Sequence, residues 1–214
     1  PDIVWDFRLP RVMSINASGH KFGLAPLGVG WVIWRDFEKL PEDLIFWVNY
    51  LGGNMPTFAL NFSRPGGQIV AQYYLLTRLG KSGYRDIMNN LYESAQFIGK
   101  EMVALGDFEL FFDADPKKGI PAISWMLNKE DAGYSLYDLS DRLRMRGWQV
   151  AAYSMVPNME DTVVMRLVLR HGFSYDMAEL FVEDVKRSLE YFKAHPIAVV
   201  QQSADINYHE HSGR

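Results

Sequence analysis

The chain has 214 residues, 48% of them hydrophobic and 14% aromatic, and carries a net charge of −4. That composition suits a globular protein of one large domain, or of one domain plus part of another, and it offers no basic excess for nucleic acid or an anionic membrane surface. No apolar run reaches the roughly 18 residues of a membrane span, and the lack of cysteine excludes disulfides, cysteine metal sites and thiol nucleophiles, in keeping with a reducing cytoplasm.

In chain order, the opening Pro1-Asp2-Ile3-Val4-Trp5-Asp6-Phe7 has neither an initiator Met nor the basic start of a signal peptide, and reads as an entry into the middle of a larger fold. Val12 to Ala17 is a strand end running into the turn Ser18-Gly19-His20-Lys21-Phe22-Gly23. Gly30 to Trp34 reads as a buried strand. From Asn49 to Gln68 the residues are rich in Gly, Pro, Asn and Ser, which predicts a long irregular loop of the functional kind. Two helices follow, and Tyr84, Ile87, Met88, Leu91, Ala95, Ile98, Met102 and Leu105 recur at steps of three and four as one apolar stripe.

A domain boundary is expected near residue 106, separating residues 1–105 from a small α/β domain over 106–195 and a tail over 196–214. Phe108 to Phe112 and Ala122 to Leu127 read as strands. Ser135 and Asp138 have capping-box spacing for a helix that Gly147 ends. Gln149 to Met155 and Val163 to Leu169 are two more strands. Ser174 caps a final helix, with Met177, Leu180, Phe181, Val185, Leu189 and Phe192 on its apolar side, and Pro196 stops it. This order predicts helices packed on one face of a sheet.

Few residues stand out for chemistry. Lys21 sits among small neighbours that let backbone approach a bound group, as a Schiff-base lysine requires, although a lysine in a glycine turn is usually just solvated. Arg166 shares a strand face with Val164 and Val168 and either lies on a solvated edge or aims its fork at a carboxylate. Asn61-Phe62-Ser63-Arg64-Pro65 suits phosphate binding or plain loop capping. His209 and His211 are sparse for a metal site, no ligand spacing argues for a metal, and Gly28-Val29-Gly30 lacks the rest of a dinucleotide fingerprint.

Several blocks together resemble the bacterial and plant glutamate decarboxylases: Ser18 to Ala25, Gly28 to Arg35, Tyr50-Leu51-Gly52-Gly53, Asn61 to Pro65, Tyr137-Asp138-Leu139-Ser140, Arg146 to Val150 and Val164-Met165-Arg166. The resemblance covers nearly all of the chain and thins over the last fifteen or so residues. It implies the C-terminal part of an aspartate-aminotransferase-like (fold type I) α/β enzyme: the end of its large domain plus a small C-terminal domain. It implies pyridoxal 5'-phosphate as cofactor, with Lys21 forming the Schiff base and His20 against the phosphate. Ser63, beside Phe62, would reach the phosphate of a neighbouring subunit in a homo-oligomer built on dimers, hexameric in the bacterial enzymes. Arg166 would hold the α-carboxylate side of L-glutamate, which is converted to γ-aminobutyrate and carbon dioxide. A regulatory histidine near the C-terminus would be His209 or His211.

The resemblance also implies that the remaining cofactor and substrate groups lie in an N-terminal part of the same protein, so that this chain is incomplete and inactive alone. A related amino-acid decarboxylase and a non-catalytic assembly module are the alternative readings.

Overall fold

The computed structural model describes residues 3–49, 52–58, 63–129 and 132–196. The elements in order are β1 (Ser14–Ser18), β2 (Gly30–Trp34), β3 (Phe46–Val48), β4 (Met55–Thr57), α1 (Gly67–Ala104), β5 (Phe108–Phe112), β6 (Ala122–Leu127), α2 (Leu136–Arg144), β7 (Ala152–Ser154), β8 (Val163–Val168) and α3 (Tyr175–Ala194). They form two compact units: Pro1–Glu93 with Asp115–Pro121 and Leu169–Phe173, and Ser94–Ala114 with Ala122–Val168 and Ser174–Arg214.

In the first unit β1 and β2 form an antiparallel ribbon with Ser14 opposite Trp34 and Ser18 opposite Gly30. Arg35 anchors the segment ahead of it: its guanidinium donates to the carbonyls of Val12 (2.8 Å), Phe7 (2.9 Å) and Leu9, and its backbone N–H donates to Met13. Burial of β2 was expected, yet Val32 and Ile33 are half exposed. Val32 and Ile33 point to opposite faces of the ribbon and neither face is covered there by a packed layer, so an apolar run makes the strand without burying it. The expected irregular stretch from Asn49 to Gln68 is also interrupted. Met55–Thr57 pairs with Phe46–Val48 as an antiparallel ladder, and α1 already begins at Gly67.

The two helices expected next are present within α1, which is divided at Gly80, where φ is 58° and ψ −171° and the backbone is not helical. That conformation is accessible to glycine and costly for other residues, which makes it the natural position for the break. Beyond it the predicted stripe is buried at Tyr84, Leu91, Ala95, Ile98 and Met102.

The second unit is built on a four-stranded antiparallel sheet in the order β5-β6-β8-β7. Strand alternation sends Ile123 and Trp125 to one face, where Trp125 meets Phe181 of α3 at 6.3 Å between ring centroids. The end of α1 packs on the same face, since a Cβ at Gly99 would lie against Leu110 and Ile123. α2 starts with the predicted capping box between Ser135 and Asp138 and is tied to the chain before β7 by the Ser140 hydroxyl, which donates to the Val150 carbonyl at 2.6 Å. Helices therefore cover one face, as the element order suggests.

The buried side of α3 differs from the expected stripe. Met177 and Leu180 are exposed, while Ala178 and Val182 join Phe181, Val185, Leu189 and Phe192 in the core. Each residue turns the helix by about 100°, which carries Leu180 off the arc set by the other buried positions, and Met177 lies in the exposed first turn.

One buried charge ties the segment that follows α2 to α3. The Asp184 carboxylate, 3% exposed, accepts from Arg146 Nε (3.0 Å), Trp148 Nε1 (2.9 Å) and Arg187 Nη1 (3.2 Å). Asp184→Ala removes the common acceptor of two guanidiniums and an indole. Because both guanidiniums are about half exposed, the expected loss is ~2 kcal/mol rather than the full cost of a stranded buried charge, read as a lower urea midpoint at unchanged m-value.

Candidate functional site

β1 ends at Ser18 and the chain folds over at once. Gly19 N–H donates to the Val29 carbonyl (2.8 Å), Lys21 N–H to Ser18 (3.2 Å), Leu24 N–H to Lys21 (3.2 Å) and Ala25 N–H to Gly19 (2.9 Å). These bonds close the turn on itself and put Lys21 at its exposed outer side, with His20 half-buried beside it. Leu24 has φ of 61°, a left-handed conformation that costs a side-chain-bearing residue about 1 kcal/mol, so the turn carries local strain.

Two α1 residues hold the turn from inside. Gln72 Nε2 (2.8 Å) and the Tyr84 hydroxyl (2.9 Å) both donate to the Gly23 carbonyl. Burial holds the Tyr84 phenol above its ordinary pKa, outweighing the opposing hydrogen bond from Gln72, so it remains a proton donor throughout the neutral range. The Gln72 carbonyl oxygen is buried without a hydrogen-bond partner and faces the two glycines. A Cβ on Gly19 would come within 2.8 Å of it, and one on Gly23 would overlap it outright. Neither glycine can carry a side chain while Gln72 stays in place.

Phe22 tilts against Tyr84 at 5.5 Å over a hollow of ≈ 390 Å³ that Leu76, Lys81, Arg85 and Met88 also line. Lys21 does not line it, so this hollow is not where the lysine lies. Ser63 is exposed on the segment leading into α1. Phe62, His209 and His211 lie outside the described residues.

In the second unit Arg166 is exposed on β8, opposite Ser124 of β6. Alternation places it on the face away from Trp125 and the helices, where its guanidinium lies 5.8 Å from the centre of the Tyr153 ring. That is near the outer limit of a cation–π contact and leaves the fork open. Among the described residues no cluster of three or more His, Asp or Glu could hold a metal ion, and no helix is long and apolar enough to cross a membrane.

Sequence reading singled out Lys21 and Arg166 but passed over what positions them. Gln72 is a lone polar residue on a helix and resembles any solvated one. Tyr84 was legible only as part of an apolar stripe. Tyr153 reaches Arg166 across β7 and β8, and their pairing could not be assigned before the sheet order was known.

Residues 2–128 match the family model described as the pyridoxal-dependent decarboxylase conserved domain. The chain is 64% identical over 199 residues to a glutamate decarboxylase of Aliivibrio fischeri, covering 92% of this chain and 42% of that relative. In solved structures it is similar to a Lactobacillus brevis glutamate decarboxylase, with a TM-score of 0.79 and 46% identity over 87% of this chain and 42% of the other. It also resembles a Burkholderia pseudomallei sphingosine-1-phosphate lyase, with a TM-score of 0.67 and 26% identity over 86% of this chain and 39% of the other. The chain thus spans about two fifths of the length of these relatives.

Proposed function

The chain belongs to the pyridoxal-dependent decarboxylase family with an aspartate-aminotransferase-like α/β fold, and on that premise we propose that the full-length protein carrying it converts L-glutamate to γ-aminobutyrate and carbon dioxide. The observation that carries this reading is the Lys21 turn: a rigid loop that presents a lysine with no carboxylate partner among the described residues.

The residues present fit pyridoxal phosphate. Gly19 and Gly23 keep side chains off the inner side of the turn, Lys21 offers an exposed amine for the aldehyde, and His20 stands next to it for the phosphate. When bound, the cofactor supplies the electron sink for the bond lost at Cα. Lys21 holds it covalently, His20 donates a hydrogen bond to it, and Ser63 with Phe62 contributes to the phosphate site of a neighbouring subunit in a dimer-based homo-oligomer. Arg166 takes a substrate carboxylate in its open fork and fixes which Cα bond is oriented for cleavage. His209 or His211 serves regulation. We place the cofactor end of the chain in residues 1–105, the small domain in 106–195 and the tail in 196–214, and the working protein in the cytoplasm. The 214 residues alone, two fifths of the relatives' length, do not sustain turnover.

The test is a substrate panel on the full-length protein, measuring carbon dioxide release. Glutamate is expected to exceed aspartate and aromatic amino acids by ~10²-fold in kcat/KM, as a site built to pair a polar side chain permits. Preference for another amino acid would point to a related decarboxylase, and no release from any of them to an assembly module. Arg166→Ala is expected to lower kcat/KM by about 10²-fold while shifting stability by under ~0.5 kcal/mol, the usual range for an exposed position. A collapsed unfolding midpoint with unchanged kcat/KM per folded molecule would make Arg166 structural.

A further inference from the structure

The second unit contains a cleft that the proposed decarboxylation does not use. It lies between α2 and α3, has a volume of ≈ 160 Å³, and is lined by Arg142, Met145, Arg146, Asp184, Arg187 and Ser188. Three guanidiniums thus face one carboxylate, leaving two positive charges in excess. The polar atoms of the cleft are already assigned in a way that favours one sign of ligand. Asp184 is occupied by Arg146, Arg187 and Trp148, and the Ser188 hydroxyl donates to the Asp184 carbonyl at 2.7 Å. What remains available is N–H donors.

Those donors are held in place. Arg146 and Arg187 share a single oxygen of Asp184, at 3.0 and 3.2 Å, which fixes both side chains while leaving most of each fork unused. Arg142 stands over the Tyr191 ring, its Cζ 3.6 Å from the centroid, and has no carboxylate partner among the described residues. The ring contact positions that guanidinium and leaves N–H donors free. Side chains ordered beforehand lose less entropy when a ligand arrives, and planar forks match the geometry of an oxyanion.

We propose that this cleft binds a small oxyanion, a phosphate or a carboxylate, through Arg142, Arg146 and Arg187. The occupant is a free small anion rather than an acidic segment of a protein, because the volume suits a group of a few heavy atoms.

The experiment titrates inorganic phosphate into the full-length, cofactor-loaded protein at fixed ionic strength, so that the cofactor's own phosphate fills its site, and follows binding by calorimetry and by ³¹P line width. One saturable site per chain is expected, weakened about tenfold, or ~1.4 kcal/mol, by Arg142→Ala and by Arg187→Ala, and unchanged by Lys117→Ala. Acetate displaces phosphate if carboxylates share the site, and fails to do so if the site selects phosphate; either supports the assignment. Arg142→Lys keeps the charge without the fork and is expected to fall between wild type and Arg142→Ala, and it stands in should the alanine variant unfold. Absence of saturable binding, wild-type binding in both alanine variants, or an equal loss in Lys117→Ala would overturn the proposal.

Discussion

Lys21→Ala in the full-length protein is expected to cut glutamate turnover by ~10³-fold or more while leaving the unfolding midpoint at its wild-type value. The two halves of that expectation have separate grounds. On the stability side, Lys21 is exposed, and its part in the turn is made by backbone atoms alone: its N–H donates to Ser18 and its carbonyl accepts from Leu24. Alanine keeps both bonds. On the activity side, a nucleophilic amine has no substitute in a methyl group, and the neighbouring His20 carries no primary amine. Borohydride trapping followed by peptide mapping supplies the second readout. The wild-type protein should carry its cofactor adduct on the peptide that contains Lys21, and the variant should carry none. An adduct on Lys81, or wild-type turnover in Lys21→Ala, would remove Lys21 from its role.

Gly23→Ala is expected to damage both stability and activity, by about 2–3 kcal/mol in the first and about 10²-fold in the second. A Cβ there would overlap the Gln72 amide oxygen and lie 2.6 Å from the Gly19 carbonyl oxygen. The first neighbour is a side chain and can give way only by breaking the Gln72 hydrogen bond to Gly23. The second is backbone of the same turn, so relief means moving the loop that carries Lys21. The double variant Gly23→Ala, Gln72→Ala separates these effects. It removes the amide clash and leaves the carbonyl clash, so stability should recover in part while turnover stays low. Full recovery of kcat/KM in the double variant would show that the turn tolerates displacement and that Lys21 needs no fixed platform.

Much of the second unit was legible before any coordinates. Ser135 and Asp138 announced the capping box, Ser174 the start of α3, and the period of two the shared strand face of Val164, Arg166 and Val168. These features rest on short-range physics: a cap bonds within three residues, and a strand's faces follow from its period of two. The candidate site residues rest on a different ground. Residue types and neighbours made Lys21, Ser63 and Arg166 candidates, and only the resemblance to a family gave them and His20 roles, since a lysine between glycines and an arginine in a strand each have a solvated reading that residue spacing cannot reject.

Sequence by itself therefore determined the elements of this protein, their caps and the candidate chemistry of one turn. Tertiary structure alone decided what surrounds them. That Val32 and Ile33 lie exposed depends on what packs over the two faces of β2, which no residue of β2 encodes. That Gln72 and Tyr84 converge on Gly23 depends on contacts 49 and 61 residues away. That Arg146, Trp148 and Arg187 share Asp184 required α3 to settle beside α2. Periodicity and capping are local properties of the chain. The pairing of distant polar groups is chosen only when packing brings them together and burial makes leaving them unpaired costly.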